Sequence, residues 1–208
     1  VLRAFAQTLD HSGAIRALER PFVKYVGNQP REAGKHFFGL KDAVPGIEGI
    51  GIFDRLEKNV PDDLCRGGMH CMMWRKREIE NYLCFPTTLE AFAGNLYSPE
   101  SEPIFAVVEK ARLVEVMKET IGKMEESLET TGKGSPWDDG FKVSDEFLVP
   151  LFRNFFKKLN LPNTMSKTSF HVLAEYVPRD GIDPEVREML DAVAHIYETA
   201  LKRFPSYD

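Results

Sequence analysis

Apolar residues recur along the first part of the chain with two different periods, that of a helix and that of a strand. This pattern predicts that the chain begins with an α/β region. Apolar residues recur at helical spacing over residues 1–9 and again over 32–44, so both segments are predicted to form helices. Between them, the segment 22–26 (Phe-Val-Lys-Tyr-Val) alternates apolar and polar positions and is rich in β-branched and aromatic residues. That composition and period favour a strand.

Two further apolar runs predict additional strands. Residues 47–53 carry no charge after Glu48, which is the pattern of a parallel strand buried on both faces, and residues 69–74 form a second short apolar run. We therefore predict an α/β fold in which strands 22–26, 47–53 and 69–74 form a small parallel sheet flanked by helices. Functional groups in such sheets lie at the carboxyl ends of the strands, where Asp54 is found.

After residue 86 the pattern becomes almost entirely helical. Helices are predicted over 87–96, 103–130, 144–160, 167–177 and 183–203, with a loop rich in Gly and polar residues at 130–142. We therefore predict two regions. An α/β core spans 1–86, and a mainly helical extension, 87–208, completes it.

The composition narrows the class of protein. Of 208 residues, 43% are hydrophobic and 28% charged, which is an ordinary globular balance. The formal net charge of −5 argues against a basic nucleic-acid coat protein. No apolar run approaches the roughly 20 residues that span a bilayer, so no membrane partner is expected. An odd number of cysteines, 3, favours reduced thiols and a cytoplasmic setting.

The densest polar signal follows the last predicted strand, in a basic run that ends Arg-Glu-Ile-Glu-Asn-Tyr-Leu. If this segment is extended, Glu78 and Glu80 share one face, and if it is helical they diverge. Two carboxylates beside Asp54 would form a hard-oxygen site for Mg²⁺ or Mn²⁺, and the flanking Arg75 and Arg77 would attract a phosphate backbone. The alternative is a solvated strand exit with local ion pairs, with Asp54 as a turn residue.

Two other groups of residues are interpreted as structural. Zinc is disfavoured because the candidate ligands lack a Cys-x-x-Cys pair and have irregular spacing: Cys65, His70, Cys71 and Cys84. An aromatic cluster falls at helical spacing and is interpreted as core rather than as a base-stacking platform: Phe147, Phe152, Phe155 and Phe156.

The order of these motifs resembles a known family. An apolar strand, Asp-Arg, a loop, a second strand and then Arg-Glu-Ile-Glu-Asn-Tyr-Leu is similar to the Toprim domain of the overcoming-lysogenization-defect (OLD) ATP-dependent endonucleases and of related ABC-type ATPases with a C-terminal Toprim domain. The opening Leu-Arg-Ala-Phe-Ala resembles the helix after that family's first catalytic glutamate. Met-Ser-Lys-Thr-Ser, around Lys167, resembles the region of its late lysine. The resemblance covers nearly the whole chain, and the Arg-Glu-Ile-Glu-Asn-Tyr-Leu segment is its most specific part.

The resemblance implies metal-dependent cleavage of phosphodiester bonds. In that family, acids from several strand ends hold Mg²⁺ or Mn²⁺, and two such ions can activate water and stabilise the leaving oxygen. Carried over by position, Asp54 would be a metal ligand, and Glu80 and Glu78 would be ligands or would hold a metal-bound water. Lys167 would neutralise charge that develops on the phosphate.

The remaining implied roles concern partners and departures from the family pattern. Arg75 and Arg77 would contact the backbone of DNA or RNA.

Leu56 stands where the family has a second aspartate, and Glu57 could replace it as a ligand. The family's opening glutamate would precede Val1, as would the ATPase domain that binds ATP, so this fragment is expected to be inactive alone. The alternative is a catalytically degenerate Toprim-like interaction or regulatory domain, which could also form a homodimer.

Overall fold

A computed structural model describes residues 1–96 and 103–203. Within these ranges the α-helices are α1 (Leu2–Thr8), α2 (Ser12–Ala17), α3 (Pro30–Ala43), α4 (Pro86–Gly94), α5 (Pro103–Thr130), α6 (Val149–Leu159) and α7 (Pro184–Arg203). The strands are β1 (Gly49–Phe53) and β2 (Met69–Met73). Shorter 3₁₀ helices span Ile79–Tyr82, Lys167–Glu175 and Arg179–Gly181, and a π-helix spans Ser144–Leu148. The prediction of an α/β fold with a small parallel sheet flanked by helices is confirmed.

The chain divides into two compact units. The sheet unit contains Leu2–Arg75 and the segment that begins at Asp183, and the helical unit contains Lys76–Ile182 together with Val1. The sequence had suggested a division after residue 86, whereas the units change after Arg75 and again after Ile182. Helix α7 therefore belongs with the sheet, where it packs against α1, α2 and β1.

In the sheet unit, β1 and β2 pair in parallel, with Gly49 opposite Met69 and Phe53 opposite Met73. The sheet packs on α3, which begins with Pro30, a residue suited to a first helical turn. The buried residues of this small core are Ala33, Phe37, Phe53 and Met69.

The segment 22–26 is not a strand, so the prediction of a third strand is wrong. Its side chains are exposed, Phe22 by 78% and Tyr25 by 91%. A strand needs a neighbour that completes its ladder of N–H and C=O groups, and in the described residues β1 pairs only with β2. Strand β1 is half-buried over most of its length rather than buried on both faces.

The helical unit is organised around aromatic side chains, and their interpretation as core is confirmed. Phe152 is fully buried, and its ring centroid lies 5.3 Å from that of Phe92 and 5.9 Å from that of Phe170. The other members of the predicted cluster, Phe147, Phe155 and Phe156, are buried as well. Helix α5 has the predicted bounds, whereas the predicted helix 167–177 is a 3₁₀ helix, Lys167–Glu175.

Candidate nucleic-acid interface

The predicted site residues are distributed over both units. The sheet unit holds Asp54, Glu57 and Arg75, and the helical unit holds Arg77, Glu78, Glu80 and Lys167. Over residues 1–96 and 103–203, no group of three or more His, Cys, Asp or Glu side chains is placed to hold a metal ion. Binding of Mg²⁺ or Mn²⁺ by these acids therefore stays a prediction.

Asp54 lies at the carboxyl end of β1, where the sequence placed it. Its backbone N–H donates to the side-chain oxygen of Asn28 at 2.9 Å. Asn28 has a φ of 58°, in the left-handed region that asparagine tolerates. Leu56 packs against the core of the sheet unit, and Glu57 is exposed. The position that carries the family's second aspartate is thus a packing position in this chain.

Glu78 is 7% exposed, and its carboxylate accepts hydrogen bonds from the backbone. It caps the 3₁₀ helix Ile79–Tyr82 in a capping box. Its side chain accepts the N–H of Asn81, while the Asn81 side-chain oxygen accepts the N–H of Glu78 at 3.0 Å. Oε1 of Glu78 also accepts the N–H of Ser144 at 2.5 Å. The carboxylate therefore joins two segments of the helical unit.

Glu80 lies within the same short helix and is half-buried. Glu78 precedes this helix as its N-cap and has an extended backbone, with φ −150° and ψ 164°. Of the two conformations that the sequence left open, the segment is therefore extended at Glu78 and helical from Ile79 onward.

Arg75 is held by helix α7 in the sheet unit. Its backbone N–H donates to Oε1 of Glu185 at 2.8 Å, and its guanidinium contacts Glu188. Glu185 is only 3% exposed. The sequence analysis missed this partner, although Asp-Pro-Glu at 183–185 is a helix-start pattern that placed an acid there. The Arg75 guanidinium, which the sequence had assigned to a phosphate backbone, therefore forms ion pairs with α7.

Basic side chains of the helical unit gather on one surface, here called the basic cluster: Arg77, Lys133, Lys142 and Lys167. Nζ of Lys142 lies 2.5 Å from one carboxylate oxygen of Asp145, and Nζ of Lys167 lies 2.8 Å from the other. Arg77, Lys133 and Lys142 line a cavity of about 310 Å³ to which two acids, Asp138 and Glu146, also contribute. Asp145 thus links Lys167 to Lys142, and Lys142 lines the same cavity as Arg77. The sequence had singled out Arg77 and Lys167 separately, and it had not pointed to Lys133 or Lys142.

Electrostatics keep this surface charged. Hydrogen bonds from Lys142 and then from Lys167 hold the pKa of Asp145 below its usual value. The same hydrogen bond to Asp145 raises the pKa of Lys142, so that this ammonium stays protonated at neutral pH. Lys133 pairs with Glu146 at 3.2 Å. The Arg77 guanidinium has no carboxylate partner among the described side chains, and its charge is available to an anion.

Comparison with known proteins identifies no relative: no family model, no curated protein and no solved structure matches the chain. In the described part of the chain, no helix combines the length and the apolar character needed to cross a membrane.

Proposed function

We propose that this chain is the Toprim-like part of an ATP-dependent nuclease of the OLD type, and that its helical unit binds the nucleic-acid backbone. The observation that carries the proposal is the basic cluster. Each phosphodiester carries one negative charge, and neutralising it releases counterions, which favours binding. Arg77 and Lys167, which belong to the cluster, are also residues to which the family resemblance gives a phosphate-contacting role.

Asp145 organises the cluster rather than cancelling it. One carboxylate holds the ammonium groups of Lys142 and Lys167 on its two oxygens, so both cations are kept in place on the surface. Both lysine side chains stay accessible, with 42% and 53% of their area exposed. An ammonium that is held by one carboxylate can still donate to a second anion, because it has three N–H groups.

The metal that the resemblance implies fits the described donors poorly. Leu56 supplies no carboxylate, and the oxygens of Glu78 are already accepting backbone N–H groups. Asp54 and Glu57 belong to the sheet unit and Glu80 to the helical unit, and Glu57 is exposed. We therefore propose that this chain binds nucleic acid without cleaving it, and that cleavage requires ligands and the ATPase domain from outside it.

Removing three charges of the basic cluster should weaken nucleic-acid binding. In the variant Arg77→Gln, Lys142→Gln, Lys167→Gln, we expect the dissociation constant for a fluorescein-labelled DNA duplex to rise by about tenfold or more. The slope of log affinity against log salt should fall by about 2–3, because each phosphate contact contributes about 0.9. Fluorescence anisotropy between 50 and 200 mM salt measures both quantities.

The matched control removes three exposed basic side chains of the same unit that lie outside the cluster: Lys110→Gln, Lys123→Gln and Arg153→Gln. This variant has the same net charge as the cluster variant. Similar affinities for the two variants would mean that binding depends on net charge alone, and the assignment of the cluster would be wrong.

The second candidate function is a catalytically degenerate interaction domain, and the packing of half-buried Leu56 against the core of the sheet unit favours it. Anisotropy with the DNA duplex separates the two candidates, because only the first one predicts binding to nucleic acid. Titration calorimetry with Mn²⁺ tests the metal ligands separately. If the acids form a metal site, the chain binds Mn²⁺ and both Asp54→Ala and Glu80→Ala lose that heat, whereas Asp42→Ala, at an exposed acid, keeps it. No binding by the parent chain, or equal heats in all variants, would mean that Asp54 and Glu80 do not hold a metal ion in this chain.

A further inference from the structure

Strand β1 has two edges, and its pairing with β2 uses one of them. Gly49 donates its N–H to the carbonyl of Gly68 at 2.9 Å, and the carbonyl of Phe53 accepts the N–H of Trp74 at 2.9 Å. Backbone groups of successive residues point to opposite edges of a strand, so Gly51 also faces β2. The residues between these positions face the other edge.

At that other edge, Ile50 and Ile52 present N–H and C=O groups that meet no backbone partner among the described residues. The next N–H to point the same way is that of Asp54, and the side chain of Asn28 takes it at 2.9 Å. Both isoleucines are half-buried. Two residues with unpaired backbone groups, spaced two apart, form a template for an extended chain.

Nothing in β1 protects this edge against pairing. Its sequence, Gly-Ile-Gly-Ile-Phe, has no charge and no proline, which are common means of blocking an edge strand. The bond from Asn28 places the preceding loop at the end of the same edge. In that part of the chain Phe22, Val23 and Tyr25 are 78%, 57% and 91% exposed. Exposed apolar side chains next to an open sheet edge mark an interaction surface.

The positive charge of the segment 20–35 favours an acidic partner. The segment 20–35 contains Arg20, Lys24, Arg31 and Lys35 but only one acid, Glu32. All five of these side chains are exposed. Lys24 and Lys35 also line a cavity of about 590 Å³ together with Tyr25. A second copy of this chain would bring the same positive charges to the edge, whereas an acidic segment would be attracted to them.

We propose that the open edge of β1 binds an extended acidic peptide segment of a partner protein, which adds a third strand to the sheet. The partner's main chain pairs with Ile50 and Ile52, its alternate apolar side chains cover Phe22, Val23 and Tyr25, and its acids face the lysines. This is strand addition to a sheet edge, in which main-chain hydrogen bonds supply affinity and side-chain contacts supply specificity.

The test uses a labelled peptide of alternating Val and Thr with Glu at both ends, and the same peptide with Lys at both ends. Hydrogen exchange of the full chain, followed residue by residue by NMR, should show the amides of Ile50 and Ile52 slowed by the Glu peptide. The amides of Gly51 and Phe53, which already face β2, should be unchanged. The Lys peptide should bind more weakly and protect less.

Two further measurements need no change inside the fold. N-methylation of the peptide at the alternate positions that face β1 should abolish binding, because it removes the donors that pair with the edge. Tyr25→Ser, at an exposed position, should weaken binding without changing the melting temperature. Three results would overturn the proposal: equal binding of both peptides, a dimeric free chain in which Ile50 and Ile52 are already protected, or protection of these amides by an oligonucleotide instead of the peptide.

Discussion

Replacing Phe152 with alanine should lower the unfolding free energy of the helical unit by about 3–5 kcal/mol. The side chain is fully buried, and its ring meets Phe92 edge-on at a centroid distance of 5.3 Å. Its ring also lies 5.9 Å from that of Phe170 and 6.4 Å from that of Phe156. Truncation therefore removes buried apolar area, leaves a cavity and breaks aromatic contacts that contribute about 0.5–1.5 kcal/mol each.

Urea denaturation followed by the fluorescence of Trp137 measures this loss. Trp137 belongs to the helical unit and packs against Phe147 at 5.2 Å, so it reports on the core that Phe152 shares. The second tryptophan, Trp74, is replaced by Phe in both parent and variant so that one unit is observed. Val107→Ala removes an apolar side chain of the same unit that is 69% exposed, and it should cost less than about 0.5 kcal/mol.

The alternative role of these aromatic side chains is base stacking, and the same variants separate the two roles. A core residue affects stability, and any loss of nucleic-acid binding follows unfolding. If Phe152→Ala kept its stability but lost affinity for single-stranded DNA, the aromatic cluster would be a binding platform. Phe152→Leu restores much of the volume without an aromatic ring, and we expect it to recover most of the stability.

Helices could be predicted from this sequence because their pattern is local. Helix α5 and the run 103–130 coincide, and α3 lies within two residues of its predicted bounds. The segment 22–26 shows the limit of what a local pattern can predict. Its alternation indicates the conformational preference of the segment itself. A strand also requires a neighbouring strand to pair with, and whether one is present cannot be predicted from these five residues.

In the candidate site too, local features could be predicted from the sequence and tertiary contacts could not. The sequence located Arg77 and Lys167 through their motifs, but they are 90 positions apart. They are linked through Asp145, which holds both Lys167 and Lys142, and through the cavity that Lys142 lines with Arg77, and these contacts are tertiary information. The capping box of Glu78 and Asn81 could have been read from the sequence, because an acceptor three residues before an amide is a local signal. The family resemblance directed attention to metal binding instead.

Glu78→Ala should lower the unfolding free energy of the helical unit by about 3 kcal/mol in the absence of any metal. The buried N–H of Ser144 would lose its acceptor, and an unsatisfied buried group costs about 1–3 kcal/mol. The N–H of Asn81 would keep only the backbone carbonyl of residue 78, at 3.0 Å. Loss of the cap adds to that cost. Glu78→Gln keeps one carbonyl oxygen at the site and should lose less. Urea denaturation with Trp137 fluorescence measures both.

Metal ligation and structural support predict opposite outcomes for this residue. A carboxylate that served mainly as a metal ligand would be repelled by neighbouring acids without the ion, so its removal would leave stability unchanged or raise it, and only Mn²⁺ affinity would fall. A carboxylate that joins the segment at Ile79 to the segment at Ser144 stabilises the fold with or without the ion.

Glu129→Ala, at an exposed acid of the same unit, sets the baseline for loss of a negative charge. If Glu78→Ala matched that baseline, the hydrogen bonds of Glu78 would contribute nothing to stability and the metal role would again be favoured. A loss of several kcal/mol would instead assign Glu78 to the support of the surface that carries Arg77.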